Sequence, residues 1–179
     1  MKLRHSLAML VVLMACGAPD RPASAPPSAS TTVAPRAAAQ PGRELTDAER
    51  AAMLRALAAE QGAVRKVWFA VTPGDAEPNA LKDAFASVFK QAGWETVTQP
   101  VTGMALKPGL SILIAEEEPP SYVNVAQQAL QATSFQFKTG TGYRAYFEER
   151  KQADPKWPGI PLAPGQDFVV VVGPKAPPS

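Results

Sequence analysis

Two side chains that carry much of protein chemistry are almost missing. The chain of 179 residues holds one cysteine, Cys16, and one histidine, His5. A single cysteine excludes an intramolecular disulfide, so whatever folds here is held by packing alone. Beyond Cys16 there is neither thiol nor imidazole, which removes histidine-activated serine or cysteine nucleophiles and zinc sites built from imidazole and thiolate. Any catalysis would fall to carboxylates, lysines or tyrosines.

A hydrophobic run long enough to span a membrane is also lacking at the N-terminus. Leu7 to Ala15 is apolar for about nine residues and is then cut off by Gly17, Pro19 and Asp20, whereas crossing the hydrocarbon takes about 20. With Lys2 and Arg4 in front and small residues behind, the stretch has the layout of a secretory signal peptide, residues 1–15.

Leu13-Met14-Ala15-Cys16 resembles the lipobox of bacterial lipoproteins: a branched apolar residue, a tolerant position, a small residue, then cysteine. The resemblance implies that the Cys16 thiol receives a diacylglyceryl group and that the chain is cut just before it. Each buried methylene contributes about 0.8 kcal/mol, so two or three chains on one residue make a near-permanent hold. It further implies an extracytoplasmic protein anchored to a bacterial membrane. Gly17, where an aspartate would favour inner-membrane retention in enteric-type bacteria, points to the outer membrane facing the periplasm. The competing expectation is ordinary signal cleavage after Gly17, which leaves an unmodified chain beginning at Ala18.

Charge of one sign is not in excess. Without Lys2 and Arg4 the chain balances 16 basic against 16 acidic residues. Net charge therefore offers nothing to steer nucleic acid, and none is expected as a partner. From Gly17 to Gly42 there is no aromatic residue and Val33 is the only large aliphatic one, while proline recurs throughout. Such a segment cannot bury enough apolar surface to offset its chain entropy, so residues 16–44 are expected to be a lipidated cysteine and a disordered tether. Residues 45–179 remain for one α/β domain.

Within that domain, Thr46 and Glu49 form a capping box opening a helix over residues 47–61, and VRKVWFAV (64–71) reads as a strand. Asp75 is placed to cap a second helix whose apolar set Leu81, Ala84, Phe85, Val88, Phe89 and Ala92 follows helical spacing. Gly93 should end it, with Trp94 folding back on the last turn. Strands at 96–101 and 110–115, a helix from Ser121 to about 133, a strand at 135–139, a short helix over 143–151 and a strand at 168–172 complete the pattern. The runs VWFAV, LSILIA and FVVVV lack polar alternation and belong in the middle of a sheet covered by helices. The expected architecture is a three-layer α/β sandwich with a mainly parallel sheet of about five strands.

Ligands of open α/β sheets sit beyond the carboxyl ends of strands. Asp75 follows VWFAV, and Glu116, Glu117 and Glu118 follow LSILIA, so acids from two neighbouring strand ends would suit a hard cation, with Lys175 beside it for a phosphate. The same acids also suit helix N-termini. Gly140-Thr141-Gly142 lacks the pattern of a phosphate loop and reads as a turn. Tyr143, Tyr146, Phe147 and Trp157 gather in the crossover before the last strand, either as an aromatic lid over the sheet or as anchors of a binding surface. The expectation is a non-catalytic, lipid-anchored envelope domain that binds a partner protein or small ligand and needs no cofactor, with ligand-binding candidates Asp75, Glu116, Glu117, Tyr143, Tyr146 and Trp157. Its rival is a carboxylate- and metal-dependent enzyme acting on a phosphate or glycan.

Overall fold

The computed structural model describes residues 42–60 and 65–176. The signal peptide, Cys16 and the tether up to residue 41 lie outside the described residues.

The expected capping box is present. The Glu49 N–H donates to Thr46 Oγ1 at 3.3 Å, and the Thr46 N–H donates to Glu49 Oε2 at 2.8 Å. It opens α1 (Asp47–Leu57), which stops short of residue 61. After β1 (Lys66–Val71) comes α2 (Ala76–Gln91), whose Leu81, Phe85, Val88 and Phe89 are all buried on one face. Burying such a side chain contributes about 1.5–3 kcal/mol, so this stripe settles which way the helix faces. The helix ends as its sequence predicts: the N–H groups of Gly93 and Trp94 donate to the carbonyls of Lys90 and Phe89, both at 2.9 Å, and the Trp94 ring meets Phe89 edge-on at 5.2 Å. Asp75 stands at the N-cap position, yet its carboxylate makes no capping bond. Asn79 does the local work by donating to the carbonyls of Asp75 at 2.7 Å and Thr72 at 3.0 Å.

The chain continues through β2 (Glu95–Pro100), β3 (Leu110–Ile114), α3 (Ser121–Gln131), β4 (Phe137–Gly140), α4 (Tyr143–Ala153) and β5 (Phe168–Val172). Pro120 rather than Ser121 occupies the N-cap of α3, so Ser121 becomes the first helical residue. Phe135, expected in the fourth strand, lies before it and packs edge-on against Phe85 at 5.7 Å.

The strands form one sheet in the order β2-β1-β5-β3-β4. The three apolar strands are its three central members, as their lack of polar alternation demands, and β5 is buried along its whole length. Three of the four pairings are parallel, and β3 with β5 is antiparallel. One face carries α1, α2 and α3 over a core that includes Phe69, Phe85, Ile112 and Phe168. The opposite face is covered more thinly. There Val101, Leu106 and Ile160 pack on Ala70, Val169 and Val171, and α4 reaches across to β3.

Several ties hold the ends of this sheet. Arg43 Nε and Nη2 reach the two carboxylate oxygens of Glu77 at 2.7 and 2.8 Å, and Nη2 also donates to the Gly173 carbonyl at 2.6 Å. The folded unit thus enlists a residue ahead of Leu45. Beyond β5, the Gly173 N–H donates to the Gly109 carbonyl and the Gly109 N–H to the Pro174 carbonyl, each at 2.9 Å. At the other end the Tyr122 hydroxyl donates to Asp167, and burial pushes that phenol well above its ordinary pKa. No helix among the described residues is long and apolar enough to cross a membrane.

Candidate functional site

The antiparallel step between β3 and β5 decides which sequence-predicted site residues can meet. Because β1 runs with β5 and β3 runs against it, the end of β1 is level with the start of β3: Val71 pairs with Val172, which pairs with Leu110. Ile114, at the far end of β3, pairs with Phe168. Asp75 and Glu116 therefore lie beyond opposite ends of the sheet, separated by about 13 Å of strand alone. The expected shared cation site of Asp75 with Glu116 to Glu118 does not form, and among the described residues no three acidic, histidine or cysteine side chains come together to hold a metal.

Glu116 and Glu117 instead fasten the N-terminus of α4. Glu116 Oε1 pairs with Arg144 Nε at 2.8 Å, and Arg144 Nη2 continues to the Gln166 carbonyl at 3.0 Å. Glu117 Oε2 accepts the Thr141 hydroxyl at 2.7 Å. Between them Gly142 adopts a φ of 64°, and a Cβ there would fall inside the Glu117 carboxylate, so this left-handed position is doubly suited to glycine. Gly140-Thr141-Gly142 is thus a turn joining β4 to α4.

Held in this way, α4 presents one face to the thinly covered side of the sheet. Tyr143, Tyr146, Phe147, Arg150 and Lys151 follow the i, i+3, i+4, i+7, i+8 spacing of a single helical stripe. None of these residues is buried. Past the helix, the chain turns back on itself: the Trp157 N–H donates to the Asp154 carbonyl and the Lys156 N–H to Asp154 Oδ1, both at 2.9 Å. That turn lays Trp157 edge-on against Tyr146 at 5.6 Å and Phe147 at 5.8 Å, with Tyr143 6.2 Å from Tyr146. The Arg150 guanidinium lies over both Trp157 and Tyr146, at 5.7 and 6.0 Å from the ring centroids. Tyr143, Tyr146 and Trp157 are therefore brought together as the sequence suggested.

These rings form one wall of a cleft of about 520 Å³. Its floor is Ser111, Leu113 and Val171 from β3 and β5, and its other wall is the loop bearing Met104, Leu106 and Lys107. Tyr143 is fixed at the base, where its hydroxyl oxygen accepts the Ile160 N–H at 3.0 Å and burial pushes its pKa up. Ile160 is itself held by the segment that follows, where buried Gln166 accepts the Ala163 N–H and donates to Gln99 Oε1, each at 3.0 Å, while Gln99 donates to the Pro161 carbonyl at 2.9 Å. Tyr146, 48% exposed, is the one large hydrophobic side chain left open among the described residues.

Two functional residues escape the sequence reading. Arg150 was accessible to it, being four positions after Tyr146 on the same stripe. Lys107 was not, because it reaches the cleft from a loop with no periodic signal. Chemically the site offers flat aromatic surface, two cations and hydroxyl donors. Ser111 and Lys107 both border it, and no hydrogen bond joins them among the described residues. No protein-family model, curated protein or solved structure matches this chain.

Proposed function

We propose that this protein is a lipid-anchored bacterial envelope protein, held through Cys16 to the outer membrane on its periplasmic side, whose α/β domain binds a small ligand without transforming it. The observation that carries the binding reading is the cleft between Tyr143, Tyr146 and Trp157 and the loop of Lys107. Its volume of about 520 Å³ falls in the range of about 300–1,000 Å³ that suits small molecules, and it combines apolar walls with a few convergent polar groups. The anchor rests on the signal peptide and the lipobox-like Leu13-Met14-Ala15-Cys16. The rival metal-dependent enzyme loses its support with the separation of Asp75 from Glu116.

The test is a fragment screen read by backbone amide chemical shifts on the full chain. Shifts should concentrate at residues 104–111 and 143–160. Tyr146→Ala should abolish them while destabilising by only about 1 kcal/mol, since the half-exposed ring loses its contacts with Tyr143 and Trp157, in contrast to about 3–5 kcal/mol for Phe85→Ala in the core. Ligands that perturb only residues outside the cleft would overturn the reading.

A further inference from the structure

The lining of the cleft has a chemical bias. It holds two cations, Arg150 and Lys107, and no carboxylate. Neither cation is in an ion pair among the described residues, where the ion pairs engage Arg43, Lys66, Lys82 and Arg144 instead, so both are open to an anionic group. Arg150 is also held in place. Stacking on Tyr146 and Trp157 restricts its side chain before any ligand arrives, so less freedom is lost on binding. Tyr143 adds a donor: its oxygen already accepts the Ile160 N–H, and its own proton has no acceptor among the described residues. Cationic and hydroxyl donors thus converge on a space with an aromatic wall and an apolar floor.

We infer that the ligand of this cleft is an organic carboxylate with a flat apolar body, the body against Tyr146 and Trp157 and the carboxylate directed to Arg150 and Lys107. The inference rests on the binding reading above and narrows it to one charge and one shape. A cationic ligand would meet like charge with no acid to offset it. A neutral flat ligand would use the rings and leave Arg150 and Lys107 unanswered. Guanidinium groups match carboxylate geometry with two parallel N–H donors, and because Arg150 and Lys107 are both exposed the gain is that of a solvent-screened pair.

The experiment compares two probes of the same ring, 2-naphthoate and 2-naphthamide, titrated by amide shifts into the full chain made by cell-free synthesis, which adds no lipid. Naphthoate should bind in the cleft about two- to fivefold more tightly than the amide, the span of a partly exposed ion pair. That preference should shrink in Lys107→Gln and in Arg150→Gln and with added salt, and in Lys107→Gln the affinity for naphthoate should fall more than that for naphthamide. Lys107 touches no ring of the cluster, so its variant separates charge from packing. Equal binding of both probes in the cleft would overturn the carboxylate inference and leave the binding reading standing. Absence of both probes from the cleft at millimolar concentration would overturn both.

Discussion

The carboxylate of Glu49, in the first turn of α1, accepts both the N–H and the hydroxyl of Ser134, at 2.8 and 2.6 Å, although the two residues are 85 positions apart. Its second oxygen meanwhile accepts the Thr46 N–H and hydroxyl at 2.8 and 2.7 Å. One side chain therefore caps its own helix and clamps the end of α3 to it.

The clamp makes stability depend on acid. The Ser134 hydroxyl bond, followed by the Ser134 and Thr46 backbone bonds, lowers the Glu49 pKa from 4.5 to about 2. A depressed carboxylate pKa contributes stability in full above the unfolded value, and that contribution is lost as pH falls from about 4.5 toward about 2. Glu49→Gln should cost about 1 kcal/mol at pH 7, a modest figure because the group is solvent-screened. Urea denaturation at pH 7 and pH 3 should show the gap between wild type and variant shrinking by more than half. An unchanged gap would refute the clamp.

Gly173 predicts a steric lesion. A Cβ there would fall well inside the Lys107 carbonyl and 3.1 Å from the Gly109 carbonyl, both backbone atoms. The paired bonds between Gly109 and residues 173 and 174 keep those carbonyls from moving aside. Gly173→Ala should destabilise by about 1–3 kcal/mol and lower Tm by about 5–10 °C. Gly140→Ala, with open space around it and no positive φ, should leave Tm within about 2 °C.

For the anchor, Cys16→Ser keeps size and polarity near the cut but cannot form a thioether. Wild-type protein made in a bacterium with lipoprotein processing should fractionate with membranes and resist high-salt extraction, because a hydrophobic hold is not screened by ions. The variant should lose the lipid. Mass spectrometry of the mature N-terminal peptide decides the matter, and an unmodified peptide beginning at Ala18 would refute lipidation at Cys16.

What was legible in the sequence is what side-chain pattern encodes. The stripe from Leu81 to Phe89 defines α2, the Thr46–Glu49 box defines the start of α1, and the all-apolar FVVVV belongs at the sheet centre, where it lies. Strand direction left no such mark: a strand apolar on both faces packs equally well either way, and so nothing in LSILI announces that β3 opposes β5. That single unread reversal is also what separated Asp75 from Glu116. Gln166 hides for a related reason, since a glutamine only 1% exposed looks in sequence like any surface residue until its partners Gln99 and Ala163 arrive from elsewhere.

The place of β5 has a consequence for how the chain comes to fold. Among the described residues it is the last strand in sequence, yet it sits between β1 and β3 and supplies the only strand pairing between the β2-β1 pair and the β3-β4 pair. Until it emerges, a chain delivered N-terminus first has two half-sheets that no strand pairing joins, and only the helix layer, with the Glu49–Ser134 clamp and the Phe85–Phe137 contact, links them. Completion of the sheet therefore waits on contacts between distant parts of the chain, which slows folding.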